Sequence, residues 1–356
     1  MNKACSILLL MVVMLSGCSL FEKRDDRIQE EEVVVNQPNI EVLAEKLQVP
    51  WSIDRVNQAF YINERTGNIV KIENGKIERQ PVRLEKPLAK AAEAGLLGFV
   101  LDPQFLDNHK AYAYYTYSDD GKGQFNRVII LRTNGSVWSE EKILLDRIPS
   151  AAYHHGGRLK IGPDGMLYIT TGDATTPETA QNLNALNGKI LRMKLDGTIP
   201  ADNPFPNSYV YSYGHRNPQG LVWVGGTLYA SEHGPSAHDE INRITPGANS
   251  GWPVIQGDEQ QAGMVTPLYQ SGDETWAPSG LAVANGKLYA ATLRGNAVRE
   301  FGLRQKITRP VITSLGRIRD LYVDGDYLYF VSNNTDGRGN PDEKDDKLYR
   351  VLLRDL

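Results

Sequence analysis

The chain has 356 residues, 41% of them hydrophobic and 23% charged, with a formal net charge of -4 at pH 7. That balance belongs to a folded protein and excludes a disordered one, and the slight acidity removes nucleic acid as an expected partner. The 33 glycines, 19 prolines and 17 tyrosines favour many short strands joined by tight turns over a helical protein.

The N-terminus reads as a targeting signal. Lys3 precedes an apolar run from Ala4 to Leu15, and Ser16, Gly17 and Cys18 follow as a small-residue stop ending in cysteine. About a dozen apolar residues are too few to cross roughly 30 Å of hydrocarbon as a helix, which disfavours a transmembrane anchor. The pattern resembles a bacterial lipoprotein signal. That resemblance implies removal of residues 1–17, lipidation of Cys18 and a mature protein anchored to the cell membrane, outside the cytoplasm. Cys5 leaves with the signal, so the mature chain has neither a disulfide nor a cysteine metal site. Residues 18–37, with Lys23, Arg24, Asp25, Asp26, Arg27 and the run from Glu30 to Glu32, read as a charged tether too poor in apolar residues to fold alone. Within it, Val33 to Val35 is a candidate outer strand.

From residue 38 onward the sequence repeats. Four segments open on a leucine, alternate in hydrophobicity, turn at a glycine and reach a Leu-Tyr pair: Leu159 to Tyr168, Leu221 to Tyr229, Leu281 to Tyr289 and Leu321 to Tyr329. Their spacing is that of propeller blades with insertions, and Trp51 to Ile62 and Leu96 to Tyr115 are weaker copies. Six units predict an all-β fold, a six-bladed β-propeller of four-stranded blades spanning residues 38–356.

In a propeller the segments leading into the innermost strands converge at one mouth of a central channel. Those segments here carry Glu93, His154, Arg158, Arg216, Asn217, Thr275, Arg317 and Arg319, with Arg294 just after the fifth unit. Guanidiniums from Arg216, Arg294, Arg317 and Arg319 at one mouth would repel one another unless an anionic ligand sits among them. The stretch Tyr153, His154, His155, Gly156, Gly157 places two imidazoles beside small residues. A neutral imidazole takes a proton near pH 7, and glycines allow a flat partner to approach the backbone. In Ser231 to Asn242 the Gly234-Pro235 step turns its carbonyls outward, as suits calcium. The run Gly247 to Pro253, with Asn249 and Trp252, reads as readily as a structural corner, and Gly121 to Arg127 and Asp336 to Asp346 are polar, glycine-containing insertions that could rim the site, with a solvated loop the favoured reading for each.

Taken in order, Glu93 to Gly98, His154 to Leu159, Gly188 to Arg192, Gly214 to Leu221, Glu232 to Asn242, Gly251 to Pro253, Ala277 to Leu281 and Gly316 to Asp320 resemble the quinoprotein glucose/sorbosone dehydrogenases, most closely their aldose sugar dehydrogenase branch. The resemblance implies pyrroloquinoline quinone (PQQ) and calcium as cofactors, and oxidation of an aldose at its anomeric carbon to a lactone, with electrons passed to an external acceptor. It further implies that His154, rather than His155, is the general base and that Arg216 stabilises charge on the quinone, with Asn217 beside it. Thr275, Arg294, Arg317 and Arg319 would bind the cofactor carboxylates, Glu93 would contact cofactor or sugar, and the carbonyls of Gly234 and Pro235 would hold calcium. Tyr153 and Glu93 depart from the glucose-oxidising branch at the sugar side. The competing reading is a propeller lipoprotein that binds a ligand or scaffolds partners without chemistry.

Overall fold

The computed structural model describes residues 38–119, 121–304 and 306–356, mostly strand and turn. The signal, Cys18 and the tether with Val33 to Val35 lie outside the described residues. Strand β1 (Glu41–Ala44) is followed by β2 (Pro50–Val56), β3 (Ala59–Glu64), β4 (Asn68–Glu73) and β5 (Lys76–Arg83), then by β6 (Leu96–Leu101), β7 (Lys110–Asp119), β8 (Gly123–Thr133) and β9 (Trp138–Pro149). Next, β10 (Gly156–Ile161), β11 (Leu167–Thr171), β12 (Lys189–Met193) and β13 (Val210–Tyr213) form a four-stranded antiparallel sheet. Another comprises β14 (Pro218–Val224), β15 (Thr227–Glu232), β16 (Glu240–Ile244) and β17 (Tyr269–Gln270), and a third β18 (Pro278–Ala284), β19 (Lys287–Thr292), β20 (Ala297–Gly302) and β21 (Thr308–Ile312). The chain closes with β22 (Ile318–Asp324), β23 (Tyr327–Ser332) and β24 (Leu348–Leu352), which β1 completes in the order β1-β24-β23-β22. The outer strand of that sheet is therefore Glu41–Ala44.

Two features differ from the sequence-based expectation. The runs β2–β5 and β6–β9 are not separate four-stranded sheets but one eight-stranded sheet, joined by parallel pairing of Val82 with Trp138 and Arg83 with Ser139. The cause is the reach of β9, whose first residue, Trp138, donates its indole N–H to Gln80 Oε1 at 2.7 Å. Gly121 to Arg127 is not a solvated insertion either: Gly123 onward is β8, paired with β7 from Asp119↔Gly123 to Lys110↔Arg132.

Burial tracks strand position. Every residue of β3 is buried, whereas β5 at the outer side of its run is mostly exposed. Between neighbouring sheets lie apolar clusters such as Trp51, Leu97, Tyr114, Leu159, Leu167 and Leu191, where each fully buried aliphatic side chain contributes about 1.5–3 kcal/mol. The first strands meet in a closed circuit: β2 lies against β6, β6 against β10, β10 against β14, β14 against β18, β18 against β22, and β22 against β2. Sheets packed face to face around such a ring make a β-propeller.

The mouth end of each first strand is irregular. Register shifts fall between Pro50 and Ser52, Leu96 and Phe99, Gly156 and Leu159, Pro218 and Gly220, Pro278 and Leu281, and Ile318 and Asp320. A bulge re-aims the side chains beside it, and the consequence here is a polar channel. Arg158 donates to the Gln219 carbonyl at 2.7 Å and to Ser52 Oγ at 3.1 Å, and Arg319 donates to Gln219 Oε1 at 2.8 Å. Among the described residues no helix is long and apolar enough to cross a membrane.

Candidate active site

His154 stands just before β10 with φ at +62°. Gly172, at the end of β11, allows its backbone to come this close, because a Cβ there would meet the His154 carbonyl oxygen at 2.0 Å. The imidazole Nδ1 lies 2.8 Å from Asp173 Oδ1. Asp173 is buried and accepts the Thr175 N–H on Oδ1 at 2.8 Å and the Trp252 indole N–H on Oδ2 at 2.9 Å. Donors on both oxygens mark this carboxyl as an acceptor, so Nδ1 carries the imidazole proton and Nε2 is left with its lone pair. This is the geometry of an oriented general base. The adjacent His155 has its Nδ1 2.9 Å from Ser150 Oγ, and burial pushes it down to about 4.

Arg216 is held by three neighbours. Its backbone N–H bonds Glu232 Oε1, its Nη1 donates to the His233 carbonyl at 3.2 Å, and its guanidinium lies 5.4 Å from the Trp252 ring centroid. Glu232 is fixed in turn by the buried His215, whose Nδ1 is 2.9 Å away and whose Nε2 is 2.8 Å from Ser212 Oγ. Trp252, which the sequence presents as a corner, thus connects the candidate base to Arg216 through Asp173.

A cavity of about 600 Å³ is lined by His233, to whose carbonyl Arg216 donates, and by Arg294, Arg317 and Arg338 among others. A narrower space beneath it is lined by Arg65, Glu93, His155, Arg319 and Asp336. Of the predicted arginines, Arg294 and Arg317 line the cavity and Arg319 the narrower space, whereas Arg216 lines a separate small cleft. Arg317 donates to Asp336 Oδ2 through Nε at 3.1 Å and Nη2 at 2.7 Å. Arg319 is 6% exposed, bonds Asn333 Oδ1 at 3.0 Å, and is drawn down to about 9 by burial, so it stays charged at pH 7. Among the described residues no carboxylate forms a salt bridge with Arg319 or Arg294, and Arg216 Nε and His233 Nε2 are buried without hydrogen-bond partners. Cationic donors with unused capacity around a cavity are what a polyanionic ligand needs.

Glu93 accepts the His154 backbone N–H at 3.1 Å and the Arg338 guanidinium at 2.8 Å. Burial opposes its charge, but these two donors hold the carboxyl down at about 2. The remaining predicted residues are not part of the cavity lining. Asn217 Oδ1 accepts the Gly156 N–H at 3.0 Å, and the Thr275 hydroxyl donates to the Ser236 carbonyl at 2.7 Å. Gly234 and Pro235 line a small cleft with Arg216, Glu232, Glu240 and Trp252. Gly234 donates its N–H to Asp239 Oδ1 at 2.9 Å.

Five residues absent from the sequence-based site emerge from the structure: Asp173, Trp252, His233, Asp336 and Arg338. His154 precedes β10 and Asp173 follows β11, the two strands of one hairpin, a relation visible in the sequence. Asp336 and Arg338 belong to a segment that reads as solvated by composition, yet reaches the mouth.

The model of a family described as Glucose / Sorbosone dehydrogenase matches residues 47–350. The chain is 31% identical to aldose sugar dehydrogenase YliI of Escherichia coli K12, over 84% of this chain and 91% of that protein. It is 36% identical to quinoprotein glucose dehydrogenase B of Acinetobacter calcoaceticus, over 66% of this chain and 56% of that protein. The PQQ-bound aldose sugar dehydrogenase of Streptomyces coelicolor superposes with a TM-score of 0.81 at 34% identity, covering 89% of this chain and 98% of that one. The match over nearly the whole described region shows that the chain belongs to the glucose/sorbosone dehydrogenase family.

Proposed function

We propose that this chain is a PQQ-dependent oxidoreductase that oxidises an aldose at its anomeric carbon to the lactone. The observation that carries the reading is the oriented His154–Asp173 pair, tied through Glu93 to Arg338, which lines a cavity rich in guanidiniums. The residues present fit the cofactor. PQQ is a flat tricarboxylate, and Arg294, Arg317 and Arg319, with the unpartnered Arg216 Nε, offer donors that no carboxylate other than Asp336 competes for.

When bound, the quinone supplies a two-electron acceptor for hydride. The protein's own groups do the rest. His154 Nε2 takes the proton of the anomeric hydroxyl as the C–O bond becomes a carbonyl, and the hydride released from that carbon is what the quinone would accept. Asp173 stabilises the imidazolium that forms, through the bond at Nδ1. Arg216 offers positive charge where negative charge develops on the acceptor. Calcium would be held by the carbonyls of Gly234 and Pro235, neither of which accepts a hydrogen bond among the described residues. The topology is read as six blades, the eight-stranded sheet counting as two, and the lipobox at Cys18 supports a lipid-anchored protein exposed outside the cytoplasm.

The test is titration of the purified, signal-free apoprotein with PQQ, with and without calcium, followed by dye reduction with a panel of aldoses. Tight quinone binding and aldose-dependent dye reduction are expected. A folded protein that binds no PQQ would refute the proposal and favour a non-catalytic ligand-binding propeller.

A further inference from the structure

The segment between β23 and β24 crosses the mouth and ends on the loop that carries the base. Asp336 Oδ1 accepts the Arg338 N–H at 2.9 Å, a turn that sends the Arg338 side chain over the site. Gly339 lets this segment lie flat, since a Cβ there would meet the Asn334 carbonyl oxygen at 2.6 Å and Arg317 Cδ at 3.0 Å. From this position the Arg338 guanidinium reaches Glu93 Oε1 at 2.8 Å and lies 5.7 Å from the Tyr153 ring centroid. The other oxygen of Glu93 accepts the backbone N–H of His154 at 3.1 Å. His154 needs that restraint: a non-glycine residue at φ +62° sits in a sparsely populated region, costing about 1–3 kcal/mol, and persists only where its surroundings hold it.

We propose that Arg338 is a positioning residue for His154, acting through the Glu93 carboxylate. The inference rests on the aldose-oxidising function of His154 proposed above. Arg338 keeps Glu93 placed and charged, Glu93 fixes the backbone of His154, and Asp173 fixes its ring, so the imidazole is held at both ends. Arg65, Arg319, Asp336, His155 and His233 also face the space around Glu93. Of these, Arg65 and Arg319 bear permanent positive charge, and neither makes a salt bridge with Glu93 among the described residues.

The test compares Arg338→Gln, Arg338→Lys, Glu93→Gln and the double variant Arg338→Gln with Glu93→Gln. In the enzyme saturated with PQQ, Arg338→Gln is expected to lower kcat roughly tenfold, with the acid limb of the pH profile moved upward as Glu93 loses its guanidinium. Arg338→Lys should restore most of the rate, and in the Glu93→Gln background Arg338→Gln should have no further effect. In the cofactor-free protein, Arg338→Gln should shift the ring resonances of His154 in a heteronuclear NMR spectrum, and the double variant should match Glu93→Gln alone. Unshifted His154 resonances, or an equal loss of rate with and without the Glu93 carboxylate, would overturn the inference. Failure of the unmodified protein to oxidise any aldose would instead refute the proposed activity, while the NMR comparison would still decide the link from Arg338 to His154.

Discussion

Replacing Asp173 by Asn changes few atoms and removes the acceptor that orients the base. In the native site Asp173 receives three donors: the Thr175 N–H and the His154 ring on Oδ1, and the Trp252 N–H on Oδ2. An asparagine must present NH₂ to at least one of them. If the amide oxygen stays on Trp252, the NH₂ faces His154 and forces its proton onto Nε2, where it blocks proton acceptance. If the amide turns, Trp252 loses its partner, and with it the indole beside Arg216. The lost bond is buried and charge-assisted in the transition state, worth about 1.5–3 kcal/mol, or about 10- to 150-fold in kcat. Tautomer inversion adds to that, so the expectation for Asp173→Asn is a fall of about a hundredfold or more. Steady-state dye reduction measures kcat, and spectrophotometric titration should show PQQ affinity preserved. Undiminished kcat in a folded Asp173→Asn protein would refute the assignment of His154 as an oriented base.

Three further outcomes are expected. His154→Gln should lose turnover while still binding PQQ, measured by the same titration and dye assay; normal turnover would remove the proposed base. Arg317→Ala combined with Arg319→Ala should lose the quinone itself, since it removes two of the guanidiniums at the cavity, and retained tight binding would show that the anion sits elsewhere. For pH, burial holds His155 at about 4 in the folded state against an ordinary value of 6.5. The unfolded chain therefore takes up this proton first, and stability present above about pH 6.5 is lost as the pH falls toward about 4. The melting temperature should decline through that window, and His155→Phe should flatten the decline; an identical slope in that variant would refute the assignment.

Much of this architecture was legible because its cause is local. The Leu-Tyr repeats mark β11, β15, β19 and β23, since each pair sits in a buried second strand that needs apolar residues at both positions. The residues ahead of each repeat pointed to the mouth for the same topological reason. The joined sheet was not legible, because it depends on a single indole reaching Gln80 across 58 positions of sequence. Arg338 was hidden likewise: a charged residue in a glycine-rich segment looks solvated until its partner, 245 positions away, is known. Asp173 lay within view, but its role follows from the ring and indole that converge on it, which no spacing reveals.

The central claim is that the anomeric hydrogen of an aldose leaves as hydride while His154 removes the hydroxyl proton. The measurement that tests it most directly is anaerobic mixing of the PQQ-loaded protein with an aldose carrying hydrogen or deuterium at the anomeric carbon, following the spectrum of the oxidised cofactor. The account predicts that the oxidised spectrum is lost upon mixing, more slowly with deuterium, and not at all in His154→Gln. An oxidised spectrum that persists with every aldose tried, in a protein that binds PQQ and is folded, would contradict it.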